Sequence, residues 1–371
     1  MAMTPENNDS SMHRNYSNVL RGPHQVAFDI TNRCNLRCRH CYNSSGENAV
    51  MRDEMNAEAV HDLAVSLANL RPAGCCLCGG EPLLRLKEAL DFIFTVSPIA
   101  GVGMVSNGLL LTRDILQRLA AAGLRNIQFS LDGSRASHDK MRCLPGAFDR
   151  AWNALEMAMS ETRLALSVAF CPTAFNIDDF DGLVRKLHDV YLDSFRANDN
   201  RDNREFTIRV QPLMLLGRAR SNTSLRPTYL QYRHLVERIN WNKRQFEREG
   251  HFCLEWGDPV EHIIALQQGG VTMSQVSIRA NGDITVSPYI PLVVGNVRRH
   301  TLTEYWDAGL NKVWESALVR ELASRIFSIS SMEKLSDDIC DINMGGDITT
   351  DIIECNGLGD LSLLNQVNLE G

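Results

Sequence analysis

The sequence is organised around one stretch, Asp29-Ile-Thr-Asn-Arg-Cys-Asn-Leu-Arg-Cys-Arg-His-Cys-Tyr42. Its three cysteines, Cys34, Cys38 and Cys41, follow a Cys-x3-Cys-x2-Cys spacing within eight residues. Residues 25–30 are mostly apolar and β-favouring, which predicts that the cysteines lie in a loop at the end of a strand. Thiolates are the ligands that iron–sulfur clusters require. Three thiolates on a cubane leave one iron without a protein ligand and open to a small molecule.

Two other interpretations of the cysteine triplet are a zinc knuckle and three reduced structural cysteines. Zinc sites usually close with a fourth Cys or His at regular spacing. His40 lies between two of the cysteines and is a candidate for that role. The motifs that follow along the chain favour the iron–sulfur interpretation.

The composition of the 371 residues is that of an ordinary globular protein, with 44% hydrophobic and 22% charged residues. The formal net charge of −7 argues against a general nucleic-acid binder, whose affinity comes mainly from basic residues facing phosphates. No apolar run approaches the ~20 residues needed to span a bilayer, and residues 1–14 lack the apolar core of a signal peptide. Eleven cysteines without an export signal predict a reducing cytoplasm.

Strand-like and helix-like segments alternate along the chain after a predicted flexible arm over residues 1–20. The strand-like runs cover 26–30, 74–78, 102–106, 126–131, 164–170 and 205–211, and the helix-like stretches cover 56–70, 85–96, 112–122, 147–159 and 177–191. Six strands joined by helical crossovers predict a parallel sheet, and six units are fewer than the eight of a closed barrel. We therefore predict an α/β fold with a partial (β/α)6 TIM-type barrel. A doubly wound sheet is the alternative.

The alternation is predicted to stop after Gly217-Arg218-Ala219. A helix over about 227–249, a strand over 251–256 and a helix over 259–267 follow, and then two strands around Asn281-Gly282, a dipeptide typical of hairpin turns. We place a domain boundary near 217, with the barrel over 21–217 and a smaller α+β domain over 218–371.

Glycine-rich and polar motifs end the next three strand-like runs. Gly79-Gly80-Glu81-Pro82 ends the second, where glycines allow a close backbone approach to a ligand and Glu81 supplies an acceptor, although a plain turn explains this motif equally well. Ser106-Asn107 ends the third run. Ser130-Leu-Asp-Gly133 ends the fourth, and His138-Asp-Lys-Met-Arg142 follows it.

The cysteine loop, with Tyr42 directly after the third cysteine, resembles the cluster loop of the radical S-adenosylmethionine (radical SAM) enzymes. The resemblance implies a partial barrel and one [4Fe–4S] cluster held by Cys34, Cys38 and Cys41. It also implies that SAM chelates the open iron and is cleaved by an electron from the cluster. The resulting 5'-deoxyadenosyl radical would abstract hydrogen from a substrate.

The later motifs resemble the SAM-contacting positions of this family in the same order. Gly79, Gly80 and Glu81 are similar to its Gly-Gly-Glu motif, which receives the ammonium group of SAM, and a carboxylate suits that cation. Ser106 or Asn107 stands at the ribose-contacting position. The branch containing the anaerobic sulfatase-maturating enzymes implies that Ser130 touches the cofactor and that Arg142 holds its carboxylate. The plain alternatives are a bond from Ser130 to the strand backbone and a surface ion pair of Arg142.

The C-terminal half resembles the SPASM/twitch branch, which usually carries auxiliary iron–sulfur clusters. Ser287 stands where a cluster cysteine would close the hairpin, and the earlier cysteine position falls near Gly269-Gly270. The cysteines in this half are widely spaced, at Cys253, Cys340 and Cys355. We predict a degenerate domain without an auxiliary cluster that covers and selects the substrate. Pro288 replaces the acidic residue expected in a sulfatase-maturating enzyme, which argues against that activity.

Three residues are predicted to act on the substrate. Cys143 follows Arg142 in a loop beside the cofactor. In radical peptide epimerases a cysteine returns hydrogen to the substrate, and Cys143, Cys171 or Cys253 is a candidate for that role here. Simple packing of the thiol is the alternative. Glu255 and Asp258 lie at a strand end and are predicted to bind or deprotonate substrate, with capping of the next helix as the alternative.

We predict a radical SAM enzyme that modifies a peptide, a ribosomal natural-product precursor, by crosslinking, oxidation or epimerisation. This substrate class rests on family analogy. A small molecule such as a tetrapyrrole, sugar or antibiotic intermediate is the alternative, because no leader-peptide-binding domain is obvious at the N-terminus. We expect an external electron donor of the flavodoxin or ferredoxin type. A non-catalytic iron–sulfur carrier would have no use for Glu81, Ser130 and Arg142 together.

Overall fold

The computed structural model describes residues 22–47, 53–197, 204–247, 251–267, 275–342 and 347–355. The arm predicted for residues 1–20 and the Gly269-Gly270 position lie outside these ranges. Within them, we find no helix with the length and apolar character needed to span a bilayer.

In the described residues, seven strands run parallel and lie side by side in chain order. They are β1 (Gln25–Thr31), β2 (Gly74–Gly79), β3 (Gly101–Ser106), β4 (Leu124–Ser130), β5 (Ala165–Phe170), β6 (Phe206–Val210) and β7 (Phe252–Trp256). The first six match the predicted strands to within two residues at either end. The regular order without a reversal is that of a barrel rather than of a doubly wound sheet.

The helices follow the strands as crossovers in the first two thirds of the chain. The α-helices of the described residues are α1 (Ala57–Leu70), α2 (Leu86–Val96), α3 (Arg113–Ala122), α4 (Arg135–Arg142), α5 (Ala147–Glu161), α6 (Phe180–Ala197), α7 (Tyr229–Phe246), α8 (Pro259–Gln267), α9 (Leu302–Asp307), α10 (Ala317–Ser324) and α11 (Ile329–Ile342). Asn56 caps α1, since its side chain accepts a hydrogen bond from the backbone N–H of Ala59.

The prediction that the alternation stops after residue 219 is wrong. Strand β7 continues the parallel run, and β8 (Gln275–Ile278) pairs in parallel with the opposite edge, at β1. Three further strands, β9 (Asp283–Thr285), β10 (Leu292–Asn296) and β11 (Ile348–Thr349), extend the sheet beyond β8. Within the described ranges the sheet has eleven strands in the order β11-β10-β9-β8-β1-β2-β3-β4-β5-β6-β7. The domain boundary near 217 stays a prediction.

The partial barrel is confirmed. In the part of the chain that the structure describes, no ladder joins β7 to β8, so the curved parallel sheet is not closed. Its two faces follow from the two-residue period of strands. In β1, the side chains of Val26, Phe28 and Ile30 are buried against the helices, whereas Ala27 and Asp29 point to the other face and line a cavity.

Helix α2 allows a matched test of the core. The Phe92 ring is fully buried and lies 5.5 Å from the Phe28 ring, whereas Phe94 on the same helix is 71% exposed. We expect Phe92→Ala to lower the free energy of unfolding by about 3–5 kcal/mol, through lost burial and a cavity. Phe94→Ala should change it by about 0.5 kcal/mol or less. Denaturant unfolding of both variants tests this, and equal effects would contradict the assigned packing.

Candidate active site

The three loop cysteines line one cavity of about 300 Å³ at the carboxyl ends of the parallel strands. Active sites of parallel barrels lie at this end. The same wall collects most of the other residues predicted to bind the cofactor, namely Tyr42, Gly79, Gly80, Ser106, Asn107, Ser130 and Arg142. Ser106 and Asn107 both line this wall, so both stay candidates for the contact with the ribose of SAM.

Two arginines hold the shape of the cysteine loop by donating to its backbone carbonyls. Arg37 donates from Nη1 to the carbonyl of Cys34 at 2.9 Å and from Nη2 to that of Gly46 at 2.6 Å. Arg218, from the segment after β6, donates from Nη1 to the carbonyl of Cys38 at 3.0 Å, and its backbone N–H donates to that of Cys41 at 2.9 Å. The loop is therefore fixed by residues from both halves of the chain.

The paired glycines allow two backbone segments to touch. A Cβ on Gly80 would lie 2.0 Å from the carbonyl oxygen of Arg33, and one on Gly79, whose φ is +119°, would lie 2.3 Å from that of Thr31. The N–H of Gly80 donates to the Thr31 carbonyl at 2.7 Å, and the N–H of Glu81 donates to the Arg33 carbonyl at 2.9 Å. The glycines are thus needed to seat the start of the cysteine loop against the end of β2.

Glu81 is fully buried and does not line the cavity. Its Oε1 accepts from the Ser106 hydroxyl at 3.0 Å, and its Oε2 accepts from the Asn107 N–H at 2.9 Å. Asn107 in turn donates from Nδ2 to Oδ1 of Asn35, in the cysteine loop, at 2.7 Å. Burial raises the pKa of Glu81 to about 7, against the hydrogen bonds that lower it. The carboxyl group therefore links the ends of β2 and β3 to the loop, and its contact with SAM stays a prediction.

Arg142 forms a buried ion pair with Asp132. Its Nε donates to Oδ2 of Asp132 at 2.7 Å, and its Nη1 lies 3.7 Å from the sulfur of Cys38. The backbone N–H of Asp132 donates to Nδ1 of His138 at 3.1 Å. Burial opposes ionisation of Asp132, yet the positive charge of Arg142 holds the pKa of that carboxyl below its usual value. Only 8% of Arg142 is exposed, so the alternative of a surface ion pair is wrong.

Helix α4, which carries His138 and Arg142, was not predicted. Its sequence, Arg135-Ala-Ser-His-Asp-Lys-Met-Arg142, lacks the apolar period that reveals amphipathic helices. A capping signal was available, since Ser134 is the N-cap and accepts from the N–H of Ser137. The backbone N–H of Arg39 donates to the carbonyl of Met141 at 2.9 Å, which docks the helix against the cysteine loop.

The three residues predicted to act on substrate lie outside the wall of this cavity. Cys143 is exposed at the end of α4, with its sulfur 3.8 Å from the carbonyl of Lys140, and Glu255 is exposed on β7. Asp258 caps α8, since its Oδ1 accepts from the N–H of Val260 at 2.8 Å. Capping is the alternative that the sequence offered for Asp258. Catalytic roles of all three residues stay predictions.

Sequence reasoning missed several residues of the cavity wall. Gln128 lies two residues before Ser130 on β4 and shares its face, so strand periodicity was a usable signal. Asp132 lies within the motif that was recognised for its serine. Tyr289 gave no signal, because the turn after β9 places it there. In this turn Ser287 is buried, and its Oγ accepts from the N–H of Tyr289 at 3.2 Å.

Comparison with protein families decides the identity of this arrangement. The Radical SAM superfamily profile matches residues 28–187, from β1 into α6. Residues 28–187 are therefore a radical SAM domain. The family that the cysteine loop resembles is confirmed, and the three cysteines as cluster ligands stay a prediction.

Individual relatives point to more than one chemistry. AdoMet-dependent heme synthase of Methanosarcina barkeri is 32% identical over 140 residues, which are 38% of this chain and 40% of that protein. Mycofactocin maturase MftC of Mycolicibacterium smegmatis is 27% identical over 313 residues, 82% of this chain and 73% of that protein. This chain thus spans about two fifths of the heme synthase.

The fold also matches a solved structure. The crystal structure of Streptococcus suis SuiB bound to precursor peptide SuiA superposes with a TM-score of 0.62 at 14% identity, covering 100% of this chain and 85% of that one. At this identity the match shows the fold.

The cofactors of radical SAM enzymes are a [4Fe–4S] cluster and SAM, and the donor set of this cavity fits them. Cys34, Cys38 and Cys41 supply three thiols to one wall, and Arg142 places a positive charge beside Cys38. Burial raises the pKa of Cys34 to about 11, so iron has to displace the proton of this thiol when it binds. In the described part of the chain no three His, Cys, Asp or Glu side chains lie close enough together to hold one metal ion. This agrees with a cubane cluster, because each of its thiolates binds a different iron.

The glycine contact can be tested by iron binding. We expect Gly80→Ala to lose most of the iron that the unsubstituted chain takes up on anaerobic reconstitution, because the new methyl group forces the start of the cysteine loop away from β2. The control is Gly182→Ala in α6, where an added Cβ meets nothing within 4 Å. This change should keep the iron and add about 0.5–1 kcal/mol of stability. Full iron content in Gly80→Ala would show that the contact is dispensable.

The buried ion pair can be tested against an exposed one on the same helix. Arg142→Gln leaves the Asp132 carboxylate buried without its cation, so we expect a loss of about 3–5 kcal/mol in the free energy of unfolding. Arg135 pairs with Asp149, and both side chains are largely exposed. Arg135→Gln should therefore cost about 1 kcal/mol or less. Urea unfolding of the iron-free chain measures the loss of stability in both variants. Similar losses would show that the buried pair of Arg142 and Asp132 stabilises the chain no more than the exposed pair.

Proposed function

We propose that this chain is a radical SAM enzyme that modifies a peptide by abstracting a hydrogen atom from it. The observation that carries the proposal is the convergence of three loop cysteines and the ends of β2, β3 and β4 on one cavity wall. Cys34, Cys38 and Cys41 would hold the cluster, which would supply the electron for reductive cleavage of SAM to methionine and the 5'-deoxyadenosyl radical that abstracts the hydrogen atom.

The protein's own residues position the cofactor. Asp132 binds Nε of Arg142 and thereby fixes the guanidinium at the cavity wall beside Cys38, where its remaining N–H groups can hold the carboxylate of SAM. Glu81 orients the backbone of Asn107 and the hydroxyl of Ser106 from behind the wall. Preorganisation of this kind lowers the cost of ordering the ligand.

Two likenesses support a peptide as the substrate. SuiB, which shares the fold, was crystallised with the precursor peptide SuiA bound, and the likeness to the maturase MftC extends through both halves of this chain. Modification of a ribosomal natural-product precursor by crosslinking, oxidation or epimerisation is the reaction class that we propose. The likeness to AdoMet-dependent heme synthase favours a small molecule, a tetrapyrrole, as the second candidate. An electron donor of the flavodoxin or ferredoxin type and a cytoplasmic location remain part of the proposal.

The first experiment counts iron and product. We expect about four irons per chain after anaerobic reconstitution, and 5'-deoxyadenosine released from SAM under dithionite. Cys38→Ala should lose both, because it removes one of three thiolate ligands. The control Cys355→Ser changes an exposed cysteine outside the wall of this cavity and should keep both the iron and the 5'-deoxyadenosine.

Other outcomes would change the proposal. About eight irons per chain would mean that the C-terminal half binds a second cluster, against the predicted degenerate domain. Four irons without 5'-deoxyadenosine would point to an iron–sulfur carrier. A Cys38→Ala variant that still cleaves SAM would overturn the assignment of the cysteine loop.

A further inference from the structure

A second cavity, of about 640 Å³, adjoins the cofactor cavity. The two share four wall residues, Tyr42, Cys78, Pro288 and Tyr289. The second cavity also borders β1 and β8, so it lies where the C-terminal half meets the barrel. Its size falls within the ~300–1,000 Å³ of ligand sites in proteins. A molecule bound there would reach the cofactor cavity past Cys78.

Asp29 places a carboxyl group in the wall of this second cavity, and the charge of Arg279 acts on it only from beyond ion-pair distance. It lies on the inner face of β1, and its register partner on β2 is Cys78, which belongs to both cavities. In the described part of the chain its side chain makes neither a hydrogen bond nor an ion pair. This sets it apart from Glu81 and Asp132, whose carboxyl groups are both engaged by the protein.

The arginines of the same wall each have an ion-pair partner. Arg279 forms an ion pair with Asp347, and Arg220 pairs with Asp337 at 2.8 Å. Asp53 lies at the exposed rim of the cavity. Like Asp29, it forms no ion pair with the described residues. The unmatched charge of the second cavity is therefore negative.

The described residues offer a negative charge at position 29 neither a hydrogen bond nor an ion pair. Burial raises the pKa of Asp29 to about 6, and the partly opposing charge of Arg279 does not restore its usual value. A carboxylate that is ionised at neutral pH in such surroundings disfavours the folded state unless something binds it. A neutral residue of the same shape would therefore make the folded state more stable. The charge of Asp29 is accordingly explained by an interaction with a molecule that enters the cavity.

We infer that Asp29 binds a protonated amine or guanidinium group of the substrate, which lies in the second cavity while its reacting carbon lies in the cofactor cavity. The inference rests on the proposed function and narrows it. A peptide with an N-terminal amine, lysine or arginine fits this cavity, whereas a tetrapyrrole bearing several carboxylates meets a wall with negative excess.

The test uses three small probes that share a phenyl ring and differ in charge: benzylammonium, benzyl alcohol and benzoate. Their affinities for the reconstituted enzyme with SAM are measured anaerobically at pH 8 by saturation-transfer NMR. Because a hydrogen bond to a charged group contributes about 1.5–3 kcal/mol, we expect benzylammonium to bind about tenfold more tightly than benzyl alcohol, and benzoate more weakly than either. Equal affinities for the three probes would overturn the inference.

Matched variants locate the charge. Asp29→Asn keeps the shape, should melt at or above the temperature of the unsubstituted enzyme at pH 8, and should abolish the preference for benzylammonium. Asp29→Ser, which removes the charge and leaves a smaller side chain, should also abolish the preference for benzylammonium. Asp53→Asn makes the identical exchange at the rim and should keep the preference. A preference that survives at Asp29→Asn, or that disappears at Asp53→Asn, would overturn the assignment. None of these readouts needs SAM cleavage, so they stand apart from the 5'-deoxyadenosine assay.

Discussion

The backbone contact between residues 31–33 and residues 79–81 determines where the rest of the site lies. Two N–H groups at the end of β2 donate to carbonyls just before Cys34, and the contact is so close that neither Gly79 nor Gly80 has room for a side chain. The pairing register of β1 and β2 shifts between Asp29 and Thr31, where this contact begins. The chain thereby leaves β1 across the mouth of the barrel, and its cysteines face the strand ends that complete the cavity.

Two buried acids then lock the strand ends to this loop. Glu81 ties β3 to β2, and Asp132 holds the guanidinium of Arg142 beside Cys38. Both acids belong to motifs that are easily interpreted as ligand-binding, yet their carboxyl groups are engaged by the protein itself. An unpaired buried charge is costly, and a paired one fixes the geometry of its partner. The cavity wall is thus built in two layers, in which the inner residues line the space and the acids behind them set the positions of those residues.

The sequence predicts the strands of the barrel because each is a short apolar run bounded by turn residues, and it predicts most of the cofactor wall because the motifs stand directly after those runs. It fails where the decisive contact is distant or the pattern is absent. The pairing of Val276 with Val26 leaves no local trace, so the extension of the sheet past residue 219 was missed. Helix α4 has no apolar stripe, and Tyr289 reaches the cavity through a turn whose geometry depends on the buried hydroxyl of Ser287.

The parallel pairing of β8 with β1 has a consequence for biosynthesis. Phe28 is opposite Ile278, so one edge of the strand that leads into the cysteine loop stays unpaired until some 250 more residues have left the ribosome. An open edge of this kind invites pairing with other chains, and contacts of such long sequence separation form slowly. Strands β1 to β7 can associate in order as they emerge, because each pairs with its predecessor. The cysteine loop therefore leaves the ribosome long before the open edge of β1 is covered by β8, and the interval between the two is the period of greatest exposure to aggregation.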